Sequence, residues 1–121
     1  MREIKFRGYS KDYKKWCYGF TKMGWDGQWY IEFYINRSLQ KYRVDENSIG
    51  QYTGFKDKNG VEIYEGDTVR DERGNTWIVF FGTDFGMWMI HTGEVQGVLF
   101  ANDKDYEVIG NIYEEKLKKG K

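Results

Sequence analysis

The chain has 121 residues, 40% of them hydrophobic and 31% charged, which is enough apolar surface for one folded domain and excludes a disordered chain. Its 19 Lys/Arg balance its 19 Asp/Glu, so no global field draws it to nucleic acid or an anionic membrane. One cysteine, Cys17, excludes an internal disulfide and a cysteine-rich metal site, while 19% aromatic residues, 15 glycines and no proline point to strands joined by glycine turns.

The charge is unevenly spread. Residues 1–60 carry 12 Lys/Arg against 7 Asp/Glu, and residues 61–121 carry 7 against 12. The asymmetry either complements a partner or a neighbouring subunit, or has no consequence. No apolar run follows the first residues, and no stretch of roughly 18 apolar residues occurs anywhere, so neither secretion nor membrane spanning is expected.

Residues 4–7 alternate apolar and basic side chains and are predicted as a strand. A polar turn over 10–15 leads to a second strand at 16–20. The turn Gly24-Trp25-Asp26-Gly27 is predicted to join hairpin arms at 16–23 and 28–35. Residues 36–39 read as a loop or one helical turn, and 41–44 as a short strand. Residues 49–55 are predicted extended up to the turn Lys56-Asp57-Lys58-Asn59-Gly60, where Asn-Gly is the strongest hairpin signal in the chain because both residues tolerate positive φ.

Residues 61–64 meet a second turn, Glu65-Gly66-Asp67, and 68–70 meet a third at 71–75. Residues 76–81 are the clearest buried strand of the second half, followed by strands at 87–90, 94–100 and 106–113, with a turn at 102–105 between the last two. The charged tail 114–121 is predicted to fray, because so short a helix is marginal alone. The fold class is therefore mainly β: short antiparallel strands, a small, partly open, barrel-like C-terminal half, and little helix. One domain is expected over 1–113, with approximate halves 1–48 and 49–113.

Candidate chemistry is sparse. One histidine, His91, and Cys17 cannot supply the four ligands of a structural zinc site. Asp57, Asn59, Glu62, Asp71 and Asn75 lie in glycine-rich turns, but their spacing lacks the periodicity of a helical calcium loop, and Asp or Asn in a turn caps its own backbone. A Cys17–His91 nucleophile pair would need a tertiary approach that spacing does not supply, and Glu65 and Asp67 are explained by the turn around Gly66. Phosphate-loop patterns are absent. No catalytic residue, metal or cofactor is expected, and the chain is not expected to be an enzyme.

Two kinds of contact remain. The surplus of large side chains points to self-association, with Trp29, Phe33, Trp88 and Met89 as candidate interface residues. The alternative is a weak single-stranded nucleic-acid surface in the N-terminal half, built from Lys5, Arg7, Lys14, Lys15, Trp16 and Trp25. Zero net charge argues against that alternative.

Three segments in order carry a family resemblance: MREIKFR at 1–7, QYTGFKDKNGVEIYEGDTV at 51–69, and YEVIGNIYE at 106–114. Together they resemble the YopX family of phage and prophage proteins. The resemblance implies a small β-rich protein encoded by a phage or prophage, present in the bacterial cytoplasm, able to self-associate and to meet host or phage proteins. It implies no biochemical activity and transfers no site residue. Members often have Ala-Trp after Lys-Phe-Arg, whereas this chain has Gly8-Tyr9, which is expected to loosen the end of the first strand. Residues 10–48 are the least family-specific, and partner specificity is expected there.

Overall fold

The computed structural model describes residues 3–99 and 106–119, the side chain of residue 119 excepted. The turn expected at 102–105 lies outside the described residues. The chain forms two compact units, Met1–Tyr52 and Thr53–Lys121.

In the first unit, β1 (Phe6–Ser10), β2 (Lys15–Met23), β3 (Trp29–Ile35) and β4 (Ser38–Val44) follow one another as antiparallel hairpins, and β5 (Gly50–Lys56) begins here and runs on into the second unit. β2 changes partner along its length: Lys15–Gly19 pair with β1, and Phe20–Met23 with β3. The switch needs a glycine, because the Glu32 carbonyl occupies the space a Cβ on Gly19 would take.

Alternation sends Cys17, Ile31 and Val44 inward, with Phe6, Trp29, Phe33, Tyr42 and Ile49 packed around them. The end of β4 returns to β1, where Asp45 N–H donates to the Tyr9 carbonyl at 2.9 Å and Tyr9 N–H to Ser48 Oγ at 2.7 Å.

Two expectations change here. Residues 36–39 are not a loop or helical turn. Asn36 and Arg37, at φ 50° and 68°, make a two-residue hairpin turn, and β4 starts at Ser38. Gly8 does not loosen β1 either. It lies buried in mid-strand, opposite Cys17, with Tyr9 packed edge-on to Trp16 at 5.4 Å.

In the second unit, β6 (Glu62–Tyr64) precedes β7 (Asp67–Arg70), β8 (Thr76–Gly82), β9 (Met87–His91), β10 (Gln96–Val98) and β11 (Glu107–Asn111). Its core joins Ile63, Val69, Val79, Trp88, Ile90, Leu99 and Tyr106. Strand orders are β4-β3-β2-β1-β5-β6 and β10-β9-β8-β7-β11; neither sheet closes into a barrel, so the mainly β, antiparallel, partly open architecture is the one observed.

The tail expected to fray is helical instead, as α1 (Ile112–Lys119). Asn111 Oδ1 accepts from Glu114 N–H at 2.8 Å, and Glu114 Oε1 accepts from Asn111 Nδ2 at 2.7 Å. This reciprocal pair resembles a capping box, and buried Tyr113 anchors the first turn. No helix among the described residues is long and apolar enough to cross a membrane.

Candidate functional site

The polar residues of the central segment are committed to the backbone. Asp57, 2% exposed, accepts from Asn59 N–H and Val61 N–H through Oδ1, both at 2.8 Å, and from Val108 N–H through Oδ2 at 2.9 Å. Gly60 takes φ 80°, while Asn59 does not enter the left-handed region, so the turn rests on one glycine and an aspartate. Asp71 repeats the device: Oδ1 accepts from Arg73 and Asn75 N–H at 2.9 Å, and Gly74 sits at φ 87°. Its Oδ2 accepts from Trp77 Nε1 at 2.9 Å, and that bond, ahead of the backbone ones, holds its carboxyl below the ordinary value.

Gly66 turns at φ 90°, and Asp67 Oδ2 accepts from Tyr64 N–H at 2.7 Å. Thr53 Oγ1 donates to the Ile63 carbonyl at 2.8 Å and accepts from Phe55 N–H at 3.1 Å. Among the described residues, no three His, Cys, Asp or Glu gather at metal-binding distance. Cys17 lies in the first unit and His91 in the second. Burial raises the Cys17 thiol pKa against an opposing pull from Lys15, and His91 packs edge-on to Phe80 at 5.1 Å.

Trp88 and Met89, candidates for an interface, are 5% and 7% exposed and pack inside the second unit. The Met89 sulfur fills the space a side chain on Gly82 would need. Trp29 and Phe33 are half-buried: Trp29 Nε1 donates to Glu46 Oε1 at 3.0 Å, and Phe33 stacks on Tyr42 with centroids 5.6 Å apart. Alternation alone does not separate an inward-facing tryptophan from an outward one in a run as apolar as 87–90.

The basic and aromatic candidates are only partly brought together. Arg7 is buried, with its guanidinium 4.7 Å above Trp16, and Lys5 lies 3.7 Å from Glu3 and 5.3 Å over the Tyr52 ring. Lys14 and Lys15 stand exposed side by side at the β1–β2 turn. Trp25 projects fully into solvent from the β2–β3 turn, at the other end of β2.

Three of the hollows among the described residues lie in the first unit. The one of about 330 Å³ holds Lys11 and Arg43, but both are paired, Lys11 with Asp45 at 3.2 Å and Arg43 with Asp12 at 2.8 Å. The one of about 260 Å³ sets Lys22 and Lys41 against Asp26 and Glu32, and Tyr30 OH donates to Asp26 at 2.6 Å. The third, about 230 Å³, is lined by Lys15, Trp16, Cys17, Tyr18, Phe33 and Tyr42, with no carboxylate. The sequence puts Lys15, Trp16 and Tyr18 on one basic and aromatic strand, and Phe33 and Tyr42 join them through the strand pairing.

A search of curated proteins finds no match. Among solved structures, protein EF1440 from Enterococcus faecalis is similar at a TM-score of 0.59 and 21% identity, over 96% of this chain and 97% of that one, a likeness of fold. The family model described as YopX protein matches residues 5–117, nearly the whole chain. The chain therefore belongs to the YopX family.

Proposed function

We propose that the protein is a phage- or prophage-encoded accessory protein of the bacterial cytoplasm that acts by contact, through the surface of its first unit, and performs no catalysis. The observation that carries this reading is a group of exposed apolar side chains on one face of β2–β4. Tyr34 and Leu39 are cross-strand partners, 69% and 50% exposed, and Phe20, 59% exposed, pairs with Glu32 two residues from Tyr34. Tyrosine and phenylalanine in such a cluster are the residues enriched at interface cores.

A second copy of the chain is the partner that the charges favour, although a host or phage protein would use the same face. The first unit carries 10 Lys/Arg against 6 Asp/Glu, and the second 9 against 13, so one unit of a copy complements the other unit of its neighbour. Light scattering across protein concentration tests this. The expected result is a mass that rises with concentration and falls back as salt is added. A monomer at every concentration in low salt would sink it.

A second reading, contact with single-stranded nucleic acid, is favoured by one observation: the aromatic hollow at Lys15 is without a carboxylate while the two others are charge-balanced or acidic.

A further inference from the structure

We propose that the aromatic hollow beside β2 receives one base of a single-stranded nucleic acid, with Lys14 and Lys15 meeting the adjoining phosphates. The inference deepens the second reading above and shares with the first only the idea that the first unit's surface does the work.

The hollow comes from the partner switch in β2. Up to Gly19 the strand is paired with β1; beyond it, with β3. Phe33–Ile35 pair with β4 and not with β2, so a notch is left between Lys15–Tyr18 on one side and Phe33 and Tyr42 on the other. Its walls are rings. Phe33 and Tyr42 stack at an interplanar angle of 21°, Tyr13, outside the lining, meets Tyr42 edge-on at 4.9 Å, and Tyr18 stands half open to solvent. A ring entering the notch finds π-faces to stack on, and such stacking tolerates any base.

Its charge selects among planar ligands. Lys15 Nζ sits 4.3 Å over the Tyr42 ring and 3.3 Å from its hydroxyl, which holds the ammonium at the rim. Among the described residues, neither Lys14 nor Lys15 is ion-paired with a carboxylate, unlike Lys11 and Arg43 at the hollow of about 330 Å³. A cation at the rim, with a second next to it in sequence and also without a carboxylate, suits a base that carries phosphate. At about 230 Å³ the hollow falls below the range of about 300–1,000 Å³ usual for cofactor-sized ligands, so it suits a single base. A duplex, whose bases are already stacked, has no face to offer it.

The zero net charge of the chain makes this a weak, salt-sensitive contact. Neutralising two phosphates of a single strand gives a log–log salt slope of about −1.4. The test is fluorescence anisotropy of a labelled oligothymidylate of roughly ten nucleotides, titrated with the full chain at two salt concentrations. The same titration is run with Lys14→Glu/Lys15→Glu and with Tyr18→Ala, and circular dichroism confirms that the variants are folded.

The expected result is saturable binding that weakens with salt at that slope, falls about tenfold or more in each variant, and is weaker when the same oligonucleotide is annealed to its complement. Absence of binding at low salt, or equal binding by the folded variants, would overturn the proposal. Displacement of the strand by an equal concentration of thymidine monophosphate would also overturn it, in favour of a free nucleotide. None of these failures touches self-association, which light scattering reads without nucleic acid.

Discussion

Gly8 and Val44 are fitted to one another: a Cβ on Gly8 would stand 2.8 Å from Val44 Cγ2 and 3.1 Å from Ile31 Cγ1. The valine methyls occupy the volume that alanine would need at position 8. Gly8→Ala is therefore expected to cost about 1–3 kcal/mol by overpacking, although alanine is the better strand residue. In a Val44→Ala background the same change should cost less, with a coupling of about 0.5–3 kcal/mol in chemical denaturation. Additive effects would show that the two positions are independent.

Arg37 holds φ 68° in the β3–β4 turn, a conformation that costs a non-glycine residue about 1–2 kcal/mol. Arg37→Gly makes the turn Asn-Gly, the sequence best suited to it. The melting temperature is expected to rise, with a gain of about 1 kcal/mol after the added chain entropy of glycine in the unfolded state is subtracted.

Asp57 satisfies three backbone N–H groups from a buried position. Asp57→Ala leaves those donors without their acceptor and is expected to cost about 3 kcal/mol or more, with Asp57→Asn costing less. Urea denaturation at neutral pH reads the difference, and equal stabilities would show that the turn forms without the side chain.

Asp26, Asp71 and Glu107 all have carboxyls held below their ordinary pKa values of 3.8, 3.8 and 4.5, the first by the Tyr30 hydroxyl, the second by Trp77 Nε1 and the third by Arg70. A depressed folded-state pKa contributes stability that is present above the unfolded value and lost as pH falls through the folded one. Melting temperature should therefore hold from neutrality down to about pH 4 and drop below it. Asp71→Asn should flatten that acid limb while lowering the neutral plateau.

Much of the fold is legible where chemistry is local. The turn at Gly24–Gly27, the Asp57–Gly60 turn and the strand at 76–81 all announce themselves through glycine or through apolar runs, and the structure places the β2–β3 turn, the β5–β6 turn and β8 there. The Asn36-Arg37 turn escaped because no glycine marks it: its geometry is imposed by the pairing of β3 with β4. Helix α1 escaped for the opposite reason. Asn111 and Glu114 form a local signal, N-x-x-E, but the run after it is short and charged, and its support comes from buried Tyr113 and from Ile112 N–H donating to the Gly66 carbonyl at 3.0 Å.

The candidate surfaces were less legible than the elements. Arg7 reads as a surface cation, yet it is buried over Trp16, a tertiary fact that no spacing reveals. Tyr34 and Leu39 do not stand out in sequence, because their common face depends on a turn whose type was not recognised.

The most direct test of contact through the first unit's face is the association constant of Tyr34→Glu/Leu39→Glu against wild type, measured by sedimentation velocity in low salt. Both positions are exposed, so the variant is expected to melt close to wild type, and a like-charge pair replaces the apolar one. The account predicts a self-association at least tenfold weaker in the folded variant. Unchanged association in that variant would contradict it.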